Sequence, residues 1–347
     1  MTIESVLHSA SIAVRSEPNV FESVADFFSL HHIGNVNEKF IQNFKFVPYE
    51  TPLSSPLGVG LVVAAYFCTI HLLRAWVRAR GRPFDLNWFV IFHNSLMSIG
   101  SAVLWLAMVS ELVMIWSKFG IWSLACDPEG KHTRGPIVFI YFINYIFKYI
   151  ELVDTFLLAL RGKDIPFLHS YHHAATLVLC WSQLWAQSCI QWLPIVINLL
   201  VHVIMYGYYT LHALRLNIWW KKYLTTLQIV QFVVALTGCV AAFATRTAAL
   251  RLHILPAAQY GCVGSDLGAV VGVVIIASYL YLFIILFQAK YTKPTSAKAA
   301  PQQQSQQQQQ SNGRPRTLGE AVSNGYHKSA KAFDLATGST YGGNKQL

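Results

Sequence analysis

The sequence predicts an all-α polytopic membrane protein of about seven transmembrane helices. Three observations carry that expectation. Hydrophobic residues make up 54% of the 347 residues and charged ones only 12%, where a water-soluble domain carries about 25% charged residues. Apolar runs of roughly 20 residues, the length that crosses a hydrocarbon core as a helix, recur along the chain. Lys and Arg gather in every second loop between those runs.

The runs lie near 57–77, 86–113, 137–160, 167–187, 193–213, 224–243 and 267–289. The second is followed by more apolar sequence up to Trp122, which leaves its far end open. Residues 1–50 hold no apolar run after a basic start, so no signal peptide is read there, and residues 1–55 are set apart from the spans. They form an N-terminal luminal or interfacial segment, in which Val20 to Ile33 is a candidate interfacial helix. Residues 56–291 make the membrane domain. The tail, 292–347, is rich in Gln, Ser, Gly and Lys; it cannot bury a core and is expected to be disordered.

Charge sets the orientation. One set of loops carries Arg74, Arg78, Arg80 and Arg82, then Arg161 and Lys163, then Arg215, Lys221 and Lys222, then Lys290 and Lys293. The alternate loops carry only Lys118, Lys131 and Arg134, then Arg246 and Arg251. The positive-inside rule makes the first set cytosolic, and an odd number of spans then puts the N-terminus outside the cytosol and the C-terminus in it. The formal charge of +10 suits anionic lipid and an anionic substrate. Nucleic acid is not expected as a partner, because no basic stripe interleaves with exposed aromatics.

Polar side chains inside the spans are costly and seldom idle. The fourth span opens with His169, His172 and His173, whose i, i+3, i+4 spacing stacks three imidazoles on one helix face. The third span carries Asn144, Lys148, Glu151 and Thr155 at helical spacing, with Asp154 adjoining. The fifth carries Asn198, His202, Met205, Tyr206 and Tyr209, the sixth Thr225, Gln228 and Gln231, and the second His93 and Asn94. The bland alternatives stay open for several: a buried Gln or Tyr as glue between helices, Lys148 with Glu151 as a plain buried ion pair.

Two chemistries compete for the histidines. A di-iron desaturase or hydroxylase also uses the His-x-x-His-His spacing, but needs about eight histidines in several boxes. Here the box occurs once, and of 13 histidines about half fall in tails or luminal loops, so no metal is expected. Cysteine nucleophiles fare no better: Cys180 follows His173 by seven residues, roughly 10 Å along a helix, beyond hydrogen-bond reach. Histidine itself becomes the candidate nucleophile. A seven-span transporter or receptor is the other class, although the middle spans lack the Gly or Pro interruptions that transporters show.

Four motifs now stand in order: Lys148-x-x-Glu151-x-x-Asp154-Thr155, His169-x-x-His172-His173, His202-x-x-Met205-Tyr206-x-Tyr208-Tyr209 and Thr225-x-x-Gln228-x-x-Gln231. In that order and spacing the chain resembles the ELO/ELOVL family of very-long-chain fatty-acid elongases over roughly 56–291. The wording Phe167-Leu168-His169-Ser170-Tyr171-His172-His173 is similar to its fungal branch. The resemblance implies a very-long-chain 3-oxoacyl-CoA synthase of the endoplasmic reticulum, condensing a long-chain acyl-CoA with malonyl-CoA and releasing CO2 and CoA. It implies seven helices, six enclosing a substrate tunnel closed at its luminal end, with a cytosolic mouth for CoA. It implies no cofactor beyond the two substrates, and as partners membrane lipid and the ketoacyl reductase, dehydratase and enoyl reductase of the elongation cycle; a homodimer is left open. Many polyunsaturate-elongating members have Gln where this chain has Asp164, which leans the expectation towards saturated or monounsaturated acyl chains. The C-terminus, Gly343-Asn344-Lys345-Gln346-Leu347, lacks the di-lysine retrieval signal that many members carry.

On that footing each residue receives an expected role. His172 is the nucleophile that takes the acyl group as an acyl-imidazole, while His169 and His173 position it and handle protons. His202, with Asn198 and Tyr206, polarises the malonyl thioester. The rival is a one-step ternary mechanism in which the histidines act only as acids and bases. Asn144, Lys148, Glu151, Asp154, Tyr209, Gln228 and Gln231 complete the substrate-binding set, and Lys221 and Lys222 are assigned to the CoA mouth. Phe232 and Tyr279 are expected to plug the luminal end. Cys126 and Cys262 fall in luminal loops, where an oxidising compartment would join them, unless they are two unrelated cysteines.

Overall fold

The computed structural model describes residues 35–127, 130 and 133–292, and all regular structure among them is helical. The candidate helix at Val20 to Ile33 and the tail after Thr292 lie outside the described residues. A short α1 (Asn35–Gln42) precedes the bundle. Then come α2 (Pro56–Arg80), α3 (Asn87–Ala125), α4 (Pro136–Leu160) and α5 (Phe167–Ala186). A single 3-10 turn at Cys189–Gln191 leads into α6 (Trp192–Ala213), followed by α7 (Lys221–Leu250), a one-turn α8 (Ala257–Tyr260) and α9 (Asp266–Phe287).

Local chemistry explains the boundaries. Ser55 caps α2 by accepting from the Gly58 amide, with Pro56 in the first turn, where its missing N–H is no loss. Gly81 ends that helix in the left-handed region at φ 73°, a conformation that glycine adopts without a side-chain clash. Ser265 caps α9 in the same way as Ser55. The far end of α3, open in the sequence, lies at Ala125 after a break at Gly120 (φ 80°, ψ 168°).

Six helices pack in a closed ring: α3 on α6, α6 on α7, α7 on α9, α9 on α5, α5 on α4, and α4 back on α3. Helix α2 lies outside the ring, against α4. Between hydrocarbon tails there is little hydrophobic gain in bringing helices together, so close packing and buried polar contacts hold them. Gly100 of α3 illustrates the first: a Cβ there would come within 2.7 Å of the Phe147 ring on α4. Among the described residues six helices are long and apolar enough to cross a membrane, namely α2, α3, α4, α6, α7 and α9, with α6 and α9 extended by their flanking turns. Helix α5 has the length, 20 residues or roughly 30 Å, but its histidines, serines and Gln183 dilute its hydropathy. Its place in the ring, between α4 and α9, turns many of those side chains away from lipid.

One end of the ring, the disulfide end, is sealed. Cys126 and Cys262 are joined across 136 residues. Trp192 Nε1 donates to Leu124 O (2.8 Å), Val263 N to Cys126 O (3.1 Å) and Cys189 N to Val263 O (3.2 Å). Arg246 Nε donates to Asp266 Oδ1 at 2.9 Å, and both Arg251 with Asp266 and Arg246 with Cys262 O make very short contacts. Residues 43–55 fold over the same end: Phe44 packs edge-on against Phe139, Trp181 Nε1 donates to Ser54 O and the Tyr145 hydroxyl to Leu53 O. The opposite end carries the basic loops with Arg161, Lys163 and Arg215.

Candidate active site

Helix α4 organises the centre. Its i, i+4, i+7 stripe puts Asn144, Lys148 and Glu151 on the buried face, each 1–2% exposed. Lys148 Nζ donates to Glu151 Oε1 at 2.7 Å and to Asn198 Oδ1 of α6 at 3.0 Å. The same Glu151 oxygen lies 3.3 Å from His202 Nδ1, and Oε2 lies 3.9 Å from His173 Nδ1. One turn on, Asp154 is clamped from two other helices: His93 Nε2 of α3 donates to Oδ1 at 2.6 Å, and the Tyr206 hydroxyl of α6 to Oδ2 at 2.6 Å. His173 Nε2 stands 3.8 Å from that second oxygen. The ring of His173 thus lies between two carboxylates held a turn apart, beyond hydrogen-bond distance of either. Two carboxylates and one ammonium leave a negative surplus that three imidazoles, His93, His173 and His202, face together.

His169 and His172 sit differently. The His169 ring lies edge-on to His173 at 4.5 Å. His172 turns towards α7 and α9, its ring 4.7 Å from Tyr279, 6.3 Å from Phe283 and 6.4 Å from Phe232. The carbonyl of His172 accepts from Thr176 Oγ1 at 2.6 Å, and Thr176 Oγ1 also meets the Tyr279 hydroxyl at 3.0 Å. Among the described residues, His172 Nδ1 and His169 Nε2 are buried without a hydrogen-bond partner, as are His173 Nδ1 and His202 Nδ1. Such groups are costly unless a ligand or solvent meets them.

Four cavities run through the ring in series, each sharing wall residues with the next. The outer one is lined by Asn87, Asn94, Arg161, Lys163, Tyr209 and Arg215, and reaches His169 and Asp154. The middle one has His169, His172, His173, Asn198, His202, Met205, Thr225, Gln228 and Gln231 in its wall. The inner one runs from His172, Asn198, Gln231 and Phe232 past Leu179 and Ile195 to Gln183 and Gly272, and is mostly apolar. The rear one lies behind it, against Cys262 and Ser265.

The structure therefore brings together His169, His172, His173, His202, Asn144, Lys148, Glu151, Asp154, Asn198 and Tyr206, with Tyr209, Gln228 and Gln231 in the cavity walls. Gln228 Nε2 reaches Met205 Sδ at 3.4 Å, while Gln231 Oε1 is buried with no hydrogen-bond partner among the described residues. Lys221 and Lys222 begin α7 and line none of the four cavities; the cations in the outer wall are Arg161, Lys163 and Arg215. Phe232 and Tyr279 stand beside His172 at the waist between middle and inner cavities, not at the disulfide end. The reason is register: both side chains point to the ring interior at the depth of the histidines, whereas the closed end is several turns deeper. Among the described residues no group of three or more His, Cys, Asp or Glu is arranged to hold a metal ion.

Sequence reasoning undervalued two groups. His93 stands in the sequence with Asn94 as a polar pair of the second span and without an assigned role, and its 2.6 Å bond to Asp154 needs the packing of α3 on α4. The Tyr66 hydroxyl of α2, bonded to Thr155 Oγ1 at 2.7 Å, gave no signal, since one Tyr in an apolar run is ordinary.

Comparison with known proteins agrees with the motifs. The profile described as "ELO: GNS1/SUR4 family" matches residues 51–299. "Putative fatty acid elongase 1" of Schizosaccharomyces pombe is 36% identical over 255 residues, covering 74% of this chain and 75% of that protein. "Putative fatty acid elongase 2" of the same organism is 38% identical over 256 residues, covering 74% and 69%. "Very long chain fatty acid elongase 1" of Homo sapiens is 34% identical over 196 residues, covering 52% and 67%.

Proposed function

This chain belongs to the ELO family, GNS1/SUR4, and acts in fatty-acid elongation, and from that premise we propose that it catalyses the condensing step. Acyl-CoA and malonyl-CoA give 3-oxoacyl-CoA, CO2 and CoA. One observation carries the reading: His172, its Nδ1 buried without a hydrogen-bond partner, lies in the wall shared by the histidine-lined middle cavity and the apolar inner one. A thioester carbonyl resting on that wall has its acyl chain in the inner cavity and its CoA directed to Arg161, Lys163 and Arg215.

A neutral His172 imidazole nitrogen attacks the thioester carbonyl. The C–S bond breaks, the imidazole N–H proton passes by way of His169 to the departing sulfur, and the acyl group stays as an acyl-imidazole with CoA released. This divides one hard displacement into two easier ones. Malonyl-CoA then enters the vacated outer and middle cavities. Its thioester oxygen lies within reach of His202, which Glu151 orients, so that charge developing as CO2 departs is stabilised as an enolate. The enolate carbon attacks the acyl carbonyl, the C–N bond to His172 breaks, and the imidazole recovers a proton from solvent. The sum consumes one proton per cycle with the loss of CO2. Lys148, His93 and Tyr206 hold the two carboxylates that stand beside His202 and His173, and Asn198, which accepts from Lys148, lies in the wall of both the middle and the inner cavity.

We assign the protein to the endoplasmic-reticulum membrane, with the disulfide end luminal and the basic end cytosolic, where the reductases and dehydratase of the cycle would take the product. No cofactor enters the scheme. The test is acyl-CoA given without malonyl-CoA: about one CoA per active site is released, with an acyl adduct in the intact mass that His172→Ala abolishes. An enzyme proven active by malonyl incorporation, yet giving neither burst nor adduct, refutes the acyl-histidine and leaves the one-step ternary condensation.

A further inference from the structure

The inner cavity ends on Gln183. It is eleven residues beyond His172 on α5, which returns to the same helix face about 16 Å deeper. Gln183, Ile190, Cys239 and Gly272 line both the inner and the rear cavity, so these four make the partition between them. The Gln183 amide is tied across the partition: Nε2 donates to Gly268 O of α9 at 2.8 Å. Gly272 makes room for it, since a Cβ there would stand 3.3 Å from Nε2 and 3.6 Å from Cδ. Behind the partition lies the small rear cavity, bounded by Ala242, Phe243, Arg246, Cys262, Ser265 and Ala269.

Resting on the condensing reading above, we infer that Gln183 is the specificity-determining residue for acyl length, a partition that stops the chain short of the rear cavity. The acyl carbonyl is fixed at His172 and the chain runs along α5, so the last carbon accommodated is the one that meets the Gln183 amide. A hydrocarbon end gains nothing by displacing an amide from its bond to Gly268 O, because the freed polar groups would be left buried without partners. Each helical turn of added depth, 5.4 Å, takes roughly four methylenes. Opening the partition therefore extends the longest product by about four carbons, or two elongation cycles.

The experiment uses the full chain in proteoliposomes, a ladder of saturated acyl-CoA lengths and labelled malonyl-CoA, with products resolved by chain length and normalised to total turnover. Gln183→Ala shifts the distribution about four carbons longer. Gln183→Met, which keeps the bulk and loses the amide bond, stays near wild type, separating the wall from the tie. Ala242→Leu, which fills the rear compartment, has no effect alone and returns Gln183→Ala to the wild-type limit. An unchanged distribution in Gln183→Ala overturns the inference, and so does a shortening by Ala242→Leu alone, an arm that needs no Gln183 variant to fold. Label entering products with the distribution unmoved sinks only the partition; no label entering in wild type sinks the condensing reading itself.

Discussion

Lys148→Met is the most informative single perturbation of the centre. Lys148 and Glu151 are each 2% exposed at the side chain and 2.7 Å apart, and Lys148 also ties α4 to Asn198 of α6 at 3.0 Å. Replacing only the lysine leaves the Glu151 carboxylate buried, with its former partner gone and Asn198 Oδ1 without its donor. Breaking a buried pair from one side costs about 3–5 kcal/mol. At about 2–4 °C per kcal/mol for a domain of this size, the melting temperature of purified protein in detergent falls by roughly 6–20 °C. The double variant Lys148→Met/Glu151→Gln removes both charges together and recovers most of that loss, since a buried pair replaced as a unit is often near neutral. The gap between single and double variants persists from about 0.1 M to 1 M salt, because ions do not screen a pair that water does not reach. A single variant melting within about 2 °C of wild type, or a double variant no better than the single, refutes the reasoning. Lys148 would then not be the charge that balances Glu151.

Two further outcomes follow from the same geometry. Dithiothreitol, or Cys126→Ser, lowers stability by about 3–5 kcal/mol, as opening a crosslink across a long loop does, and thiol alkylation with mass spectrometry before and after reduction shows whether both thiols were bonded. Arg161→Gln with Arg215→Gln, two residues of the outer cavity wall, raises the apparent KM for acyl-CoA several-fold at low salt with a smaller change in kcat, the pattern of lost uniform binding; Lys221→Gln with Lys222→Gln raises it less, and the opposite ranking would move the CoA mouth to the start of α7.

What the sequence revealed and what it hid divide along a physical line. Charges and imidazoles in an apolar run stand out because lipid cannot tolerate them, so the α4 stripe, the three histidines and His202 were legible one helix at a time. Helix starts carry a local device in two places, Ser55 with Pro56 and Ser265. Depth was not legible. Phe232 and Tyr279 were bulky and inward-facing, yet whether an inward side chain sits at the waist or at the floor depends on how far α7 and α9 slide past α5, which no single helix records. Lys221 and Lys222 share the basic end with Arg161 and Arg215 but begin α7 and line none of the four cavities, so charge alone carries their assignment to the CoA mouth.

Gln183 shows why a polar residue can matter and still be silent. Alone in an apolar run it reads as helix-to-helix glue, and its bond to Gly268 O is glue of that kind. Its second property, that the bonded amide also closes a cavity, depends on two absences: no side chain on Gly272, and no atoms filling the space before Ser265. Pattern reading weighs residues that are present. A tunnel is defined by what its walls leave out, and the histidine that opens it was easier to find than the glutamine that ends it, because the one is improbable in a membrane by its chemistry and the other only by its position.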